Sequence, residues 1–174
     1  ADELDGRGRE VMLRADLHVH THFSHDCRVK PERLVARCQE RGINCLAITD
    51  HNTLAGAIAV REMAPFMVIV GEEVLSTQGD IIGLFLQEEI PRGLTPKQVA
   101  QNIREQGGLV MVPHPFDPFR SSVITRTGLQ EILPHVDIME TFNARNLRAR
   151  DNQRAYNLAM EHDLLVAAVS DAHT

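Results

Sequence analysis

The sequence has no run of eighteen or so apolar residues, so no part of it is long enough to cross a bilayer as a helix. Its first residues, ADELDGRGREVML, lack the apolar core of a signal peptide. It also lacks a basic excess. Lysine and arginine number 18 against 24 aspartates and glutamates, a formal charge of −6, which leaves no electrostatic footprint for gripping duplex nucleic acid. Cysteine is scarce. Cys27, Cys38 and Cys45 form an odd set with no CxxC spacing, read here as small buried thiols of a reduced, cytoplasmic protein. Low-complexity segments, linkers and internal repeats are missing. So are a GxSxG elbow and a glycine-rich phosphate loop, which excludes the commonest serine-hydrolase and nucleotide-binding devices. Lysine occurs only at positions 30 and 97, both where a helix is expected to begin.

What is present is a regular alternation over a length, 174 residues, that suits one domain with a full core. Short apolar, β-branched runs read as buried parallel strands: LHVH (17–20), CLAIT (45–49), MVIVGEEV (67–74), DIIGLFL (80–86), LVMVP (109–113), VDIMETF (136–142) and LLVAAVS (164–170). Amphipathic stretches lie between most of them. In KPERLVARCQERG, Pro31 sits in the first turn, Gly42 stops the helix, and Leu34, Val35 and Cys38 follow helical spacing. In TPKQVAQNIREQGG, Thr95 is the N-cap, Pro96 the first helical residue and Gly107 the end. TLAGAIAVREM and DNQRAYNLAMEHD complete the set. The third and fourth strands follow each other through a short turn near Gln78 and Gly79. Strand–helix alternation predicts an α/β fold with a parallel sheet, open or closed into a barrel.

Metal-capable side chains fall at the strand ends. ADLHVHTHFSHDC places Asp16, His18, His20, His22, His25 and Asp26 within thirteen residues at the first strand. Asp50 and His51 end the second, Glu72 and Glu73 the third, His114 the fifth, Glu140 the sixth, and Asp171 with His173 the seventh. In a parallel barrel those ends converge on one face. Residues two apart in a strand point to the same side, so His18 pairs with His20 and Asp171 with His173. One such histidine is ordinary; six strands each delivering a ligand type point to shared cations, because packed carboxylates and imidazoles repel or go unsolvated without them. His22 and His25 are read as supporting or solvated, and His135 and His162 as surface residues.

These segments (DLHVHTHFS, AITDHN, VGEE, PHP, METFNAR and SDAHT, in that order) resemble the PHP, or polymerase and histidinol phosphatase, superfamily, and more closely its small phosphoesterases than its polymerase-appended domains. The resemblance implies a distorted seven-stranded (β/α)7 barrel, TIM-barrel-like, with two or three divalent ions (zinc, manganese or iron) at the C-terminal strand ends. By the same resemblance, His18, His20, Glu73 and Asp171 would hold one ion. Glu73 would bridge to a second ion that also takes His114, and Asp26, His51 and His173 would hold a third. Glu73, Asp171 and His20 would be catalytic. Many relatives carry a histidine on the strand after the glutamate. Here that strand begins with Asp80, so Asp80 or Glu140 substitutes, or the second ion keeps an open position. Relatives also continue into a further helix after the point where this chain reaches Thr174.

Such ions lower the pKa of water and clamp the attacking and leaving oxygens of a phosphoester. Donors for a phosphate follow the ligand strands: Arg120 after His114, and Asn143 with Arg145 after Glu140. Arg126, Arg148 and Arg150 lie further off. Phe116, Phe119 and Phe142 could stack on a ring or simply pack. The expected activity is therefore hydrolysis of a small phosphorylated substrate, a phosphomonoester or nucleotide, with neither duplex nucleic acid nor membrane as partner. Two alternatives stand beside it. One is a catalytically silent PHP-type metal-binding module of a larger assembly. The other is an amidohydrolase-like C–N hydrolase, against which the absence of a strand-end lysine counts.

Overall fold

The computed structural model describes residues 12–174, so the amino-terminal stretch without a signal-peptide core lies outside the described residues except for Met12 and Leu13. Seven strands run in chain order through a single sheet: β1 (Ala15–Val19), β2 (Cys45–Ile48), β3 (Met67–Ser76), β4 (Gly79–Leu84), β5 (Leu109–Val112), β6 (Ile138–Asn143) and β7 (Leu165–Val169). The sheet nearly closes. Beyond β7 the Asp171 amide donates to the His18 carbonyl (2.9 Å), and the His20 amide donates to the Ala172 carbonyl (3.1 Å). Buried Asp16 helps hold this seam by accepting from the Ser170 amide at 3.1 Å. The result is the expected α/β barrel.

One feature departs from a parallel sheet. β4 is antiparallel to both β3 and β5, because a tight turn reverses the chain between Ser76 and Gly79. Gly79 takes φ +120°, and a Cβ there would stand 2.4 Å from the Ile124 Cα, so only glycine fits. The reversal brings the start of β4, not its end, to the rim where the parallel strands end. Asp80 lies opposite Leu75 and therefore sits on that rim.

Five helices connect the strands: α1 (Pro31–Arg41), α2 (Ala55–Met63), α3 (Pro96–Glu105), α4 (Arg126–Ile132) and α5 (Ala149–Glu161). α1 ends at Gly42, whose left-handed backbone lets its amide reach the Cys38 and Gln39 carbonyls. α3 begins with a capping box in which Thr95 and Gln98 satisfy each other's backbone amides. α4 was not among the expected helices. It spans seven residues and is started by Thr125, whose hydroxyl accepts from the Gly128 amide. Strand alternation separates two cores. Leu46, Ile48, Val70 and Val112 face the helices, whereas Cys45, Ala47, Ile82, Met111 and Ala167 fill the barrel interior. β7 differs from the expectation of burial on both faces. Leu165 and Val166 are 65 % and 47 % exposed, because α5 packs mainly on β6. No helix among the described residues is long and apolar enough to cross a membrane.

Candidate metal centre

His18 and His20, two apart on β1, turn their rings into the barrel mouth with the Nε2 atoms 2.9 Å from each other. Glu73 Oε2 lies 3.4 Å from the first and 3.3 Å from the second, and Asp171 Oδ1 lies 3.6 Å from both. Four ligands at ordinary zinc bond lengths around one ion stand about 3.4 Å apart, so these spacings fit a single cation. The hydrogen bonds behind the rings favour the same reading. His18 Nδ1 donates to Glu140 at 2.5 Å and His20 Nδ1 to Ser24 at 3.0 Å, which turns both Nε2 atoms toward the common point.

Glu73 is the hub. Besides the two β1 histidines, it meets His51 Nδ1 at 3.2 Å and His114 Nε2 at 3.1 Å. Burial alone would raise its pKa, but His18 and the hydrogen bonds from the imidazoles hold it well below the usual carboxylate range. His18 shows the converse. Burial would lower its pKa, yet Glu140, Glu73 and Asp171 raise it well above the ordinary imidazole value. Asp171 behaves like Glu73: burial opposes its charge, but His18 and Arg120 bring it down to about 2. A field that keeps buried carboxylates ionised and an imidazole charged is one that welcomes a cation.

On the outer side of this cluster, Asp26 Oδ2 stands 3.1 Å from His173 Nε2 and 3.5 Å from His51 Nε2. The ring of His20 lies 4.1 Å from that of His173 and 4.6 Å from that of His51, so the three imidazoles share one wall. On the inner side, Asp80, Glu73 and His114 offer ligand atoms within 4.8 Å of one another. Burial pushes Asp80 up to about 7, with the nearby Glu73 charge acting in the same sense. Among the described residues, Asp80 Oδ2 and His114 Nδ1 are buried without a hydrogen-bond partner. Such orphaned atoms fit a bound cation better than a finished polar core.

Several sequence expectations need correction. Glu140 stands behind the site, not in it. Its Oε1 accepts from His18, and its Oε2 accepts from the His114 amide (2.8 Å) and from Asn143 Nδ2 (3.0 Å), so both oxygens are engaged in holding neighbouring residues. Of the two candidates for the missing strand-four ligand, the geometry therefore favours Asp80. Asn143 is 1 % exposed, and its amide nitrogen donates to Glu140 and to Asp171, so it braces those carboxylates and has no hydrogen free for a phosphate. Phe142 lines a groove with Arg14, Ile43 and Ala168 on the flank of the barrel, away from the site. Glu72, buried on the opposite face of β3 from Glu73, accepts from the Ile90 amide, and burial raises its pKa to about 7.

Arg120 and Arg145 do reach the centre. Arg120 pairs with Asp171 and, at 3.0 Å, with Asp117, while Arg145 stands 3.4 Å from Asp171 and 2.8 Å from His173 Nδ1. Arg148 lies over the exposed ring of Phe119, and Arg154 over Phe116. His22 and His25 are exposed. Cys27 is buried, its thiol 3.4 Å from the carbonyls of His20 and His173, where it ties two ligand loops together.

Two features lay beyond sequence reasoning. The first is the support under His20 and His51. Asp50 accepts from Thr21 Oγ1 and Ser24 Oγ, both at 2.6 Å, and Ser24 Oγ accepts from His20 Nδ1 and the His51 amide. Gly56 makes room for this: a Cβ there would stand 1.9 Å from Asp50 Oδ2. The adjacency of Ser24 and Asp50 to candidate ligands was the only available signal. The second is backbone strain. His114 and Asp171 have φ of 30° and 53°, in the left-handed region that L-residues avoid.

Residues 16–88 match the PHP domain family. An uncharacterized protein of Methanocaldococcus jannaschii is 35 % identical over 158 residues, covering 83 % of this chain and 90 % of that protein. A 5′-3′ exoribonuclease of Haemophilus influenzae is 32 % identical over 105 residues, 55 % of this chain and 37 % of its own length. Among solved structures, one assigned provisionally as a metal-dependent phosphoesterase of Bifidobacterium adolescentis superposes with a TM-score of 0.76 at 18 % identity, covering 92 % of this chain and 87 % of that one. An amidohydrolase of Chromobacterium violaceum, with sulfate bound, superposes with a TM-score of 0.69 at 16 % identity over 91 % of this chain and 87 % of that one. The last two likenesses speak for the barrel alone. With that profile match and with histidine and carboxylate motifs delivered in order around one rim, the chain belongs to the PHP family.

Proposed function

We propose that the chain is a metal-dependent phosphoesterase acting on a small phosphate ester, a phosphomonoester or nucleotide. The observation that supports this best is that two arginines, Arg120 and Arg145, meet the same carboxylate, Asp171, that faces the His18–His20 pair. Cationic donors beside a cation site are what a phosphoryl group needs at its non-bridging oxygens. Divalent ions bound there would supply a water of lowered pKa and neutralise phosphate charge.

In this reading His18, His20, Glu73 and Asp171 hold one ion, Glu73, Asp80 and His114 a second, and Asp26, His51 and His173 a third. Zinc, manganese and iron all suit such donors. Glu140 keeps the His18 Nδ1 proton and so presents Nε2, and Ser24 does the same for His20. Asp117 accepts from Arg120 Nε and so helps fix the guanidinium whose Nη2 meets Asp171. Ile82 and Met111 close the barrel below and keep water out from that side. The small phosphorylated substrate would enter from the rim, in a cytoplasmic setting.

The test is a panel of esters (p-nitrophenyl phosphate, nucleoside monophosphates, a 3′,5′-bisphosphate and a short oligonucleotide) offered to metal-loaded protein. Turnover that disappears in His20→Ala and Asp171→Ala supports the proposal. Full metal occupancy without turnover of any ester would shift the reading to a silent metal-binding module. The fold's likeness to an amidohydrolase favours adding amide substrates to the panel, although Lys30 and Lys97 stand at the starts of α1 and α3 and not on a strand.

A further inference from the structure

Donor chemistry is divided unevenly around the centre. On the β1, β2 and β7 side imidazoles dominate: His20, His51 and His173 form one group, and His18 with His20 and Glu73 another. On the β3, β4 and β5 side, Glu73, Asp80 and His114 supply two carboxylates and a single imidazole. Asp80 is 2 % exposed and His114 is 1 % exposed, and each has a buried polar atom without a protein partner. Two buried carboxylates left facing each other repel, and the pocket's single imidazole, His114, 3.1 Å from Glu73, carries at most one charge against two. The antiparallel course of β4 is what puts an oxygen donor at this point of the rim.

Oxygen-rich sites favour hard ions and imidazole-rich sites favour borderline ones. We propose that the centre is chemically split: the Glu73–Asp80–His114 pocket is the manganese-type position, and the histidine-rich pockets are zinc- or iron-type positions. Affinity rises from manganese to zinc at nearly any site, so the claim concerns the ratio. Zinc's advantage over manganese is smallest at the Asp80 pocket. This inference rests on the metal-dependent reading above and adds to it which ion goes where.

The experiment strips the protein with a chelator and equilibrates it with chelator-buffered Mn²⁺ and Zn²⁺, free Mn²⁺ being raised stepwise over free Zn²⁺. Bound metals are then counted by mass spectrometry, and the manganese environment is followed by electron paramagnetic resonance. As free Mn²⁺ is raised, the parent chain should exchange one zinc for Mn²⁺ before the others. Asp80→His should exchange that manganese for zinc, lowering the bound Mn-to-Zn ratio at least tenfold, and Asp80→Asn, which keeps an oxygen donor, should fall between. Circular dichroism checks that each variant is folded, and should Asp80→His fail to fold, Asp80→Asn carries the comparison. An unchanged ratio in the variants, or exchange of all positions of the parent at the same Mn-to-Zn ratio, overturns the inference while leaving ester hydrolysis intact. A chain that binds no metal under any condition overturns the phosphoesterase reading together with it.

Discussion

Replacing Glu140 by glutamine separates a ligand from a group that orients a ligand. Glu140 receives three hydrogen bonds: from His18 Nδ1 at 2.5 Å, the His114 amide at 2.8 Å and Asn143 Nδ2 at 3.0 Å. Glutamine has one oxygen, so its NH2 must face at least one of these donors. A buried donor left unsatisfied costs about 1–3 kcal/mol. For a chain of this length, that lowers the melting temperature by roughly 2–12 °C. The larger effect is on His18. Without a carboxylate at Nδ1, the ring loses the partner that fixes its tautomer and raises its basicity, and metal affinity should fall about 10–100-fold. That fall corresponds to about 1.4–2.7 kcal/mol. Competition against a fluorescent chelator reads the affinity, and mass spectrometry reads the number of ions per chain. The expected result is weaker binding at unchanged stoichiometry. Loss of one whole ion would mean that Glu140 is itself a ligand, and unchanged affinity would mean that His18 needs no orienting; either result refutes the argument.

Glu73→Ala should remove more than one ion per chain, since Glu73 touches His18, His20, His51 and His114 together; loss of a single ion would reject its bridging role. Gly56→Ala should destabilise by about 1–3 kcal/mol through overpacking. Because its Cβ would displace Asp50 from Ser24, it should also weaken metal binding, and a variant with parental melting and metal content would refute the support network. Burial raises the Cys38 thiol to about 11 from 9.0, so the folded chain holds its proton longer than the unfolded chain. The stability this confers is full below pH 9 and is lost as pH rises from 9 to 11, so the melting temperature should drop across that window. In Cys38→Ala the drop should be smaller, and an equal drop in both proteins would refute the assignment.

The barrel was legible because two periods carry it. Seven apolar runs of strand length alternate with stretches of helical spacing, and all seven became strands with boundaries a few residues apart from those expected. α4 escaped because seven residues give too few turns for a period to register, and its only local signal, Thr125 three residues before Gly128, also suits a turn. The direction of β4 could be inferred only from the shortness of the Thr77–Gln78 connection, which is too short for a parallel crossover.

The site was legible to a different depth. Residue type and strand position were enough to collect His18, His20, Asp26, His51, Glu73, His114, Asp171 and His173, which the fold brings around one rim. They could not rank Asp80 against Glu140, because the ranking depends on hydrogen bonds made by residues distant in sequence. Glu140 is satisfied by His18, 122 positions away, and by Asn143, whereas Asp80 keeps a buried oxygen with no protein partner. Nor could any pattern announce that His114 and Asp171 hold left-handed backbone. Histidine gains nothing locally from that conformation, which costs on the order of 1–3 kcal/mol, so the rest of the fold must impose it. The His114 amide, held on Glu140, and the Asp171 amide, held on the His18 carbonyl, are the contacts that do so. His18 is common to both anchors: its ring is bonded to Glu140 and its carbonyl to Asp171. The strain at two rim positions is therefore tied through one histidine, and a change that loosens β1 at His18 should relax both together.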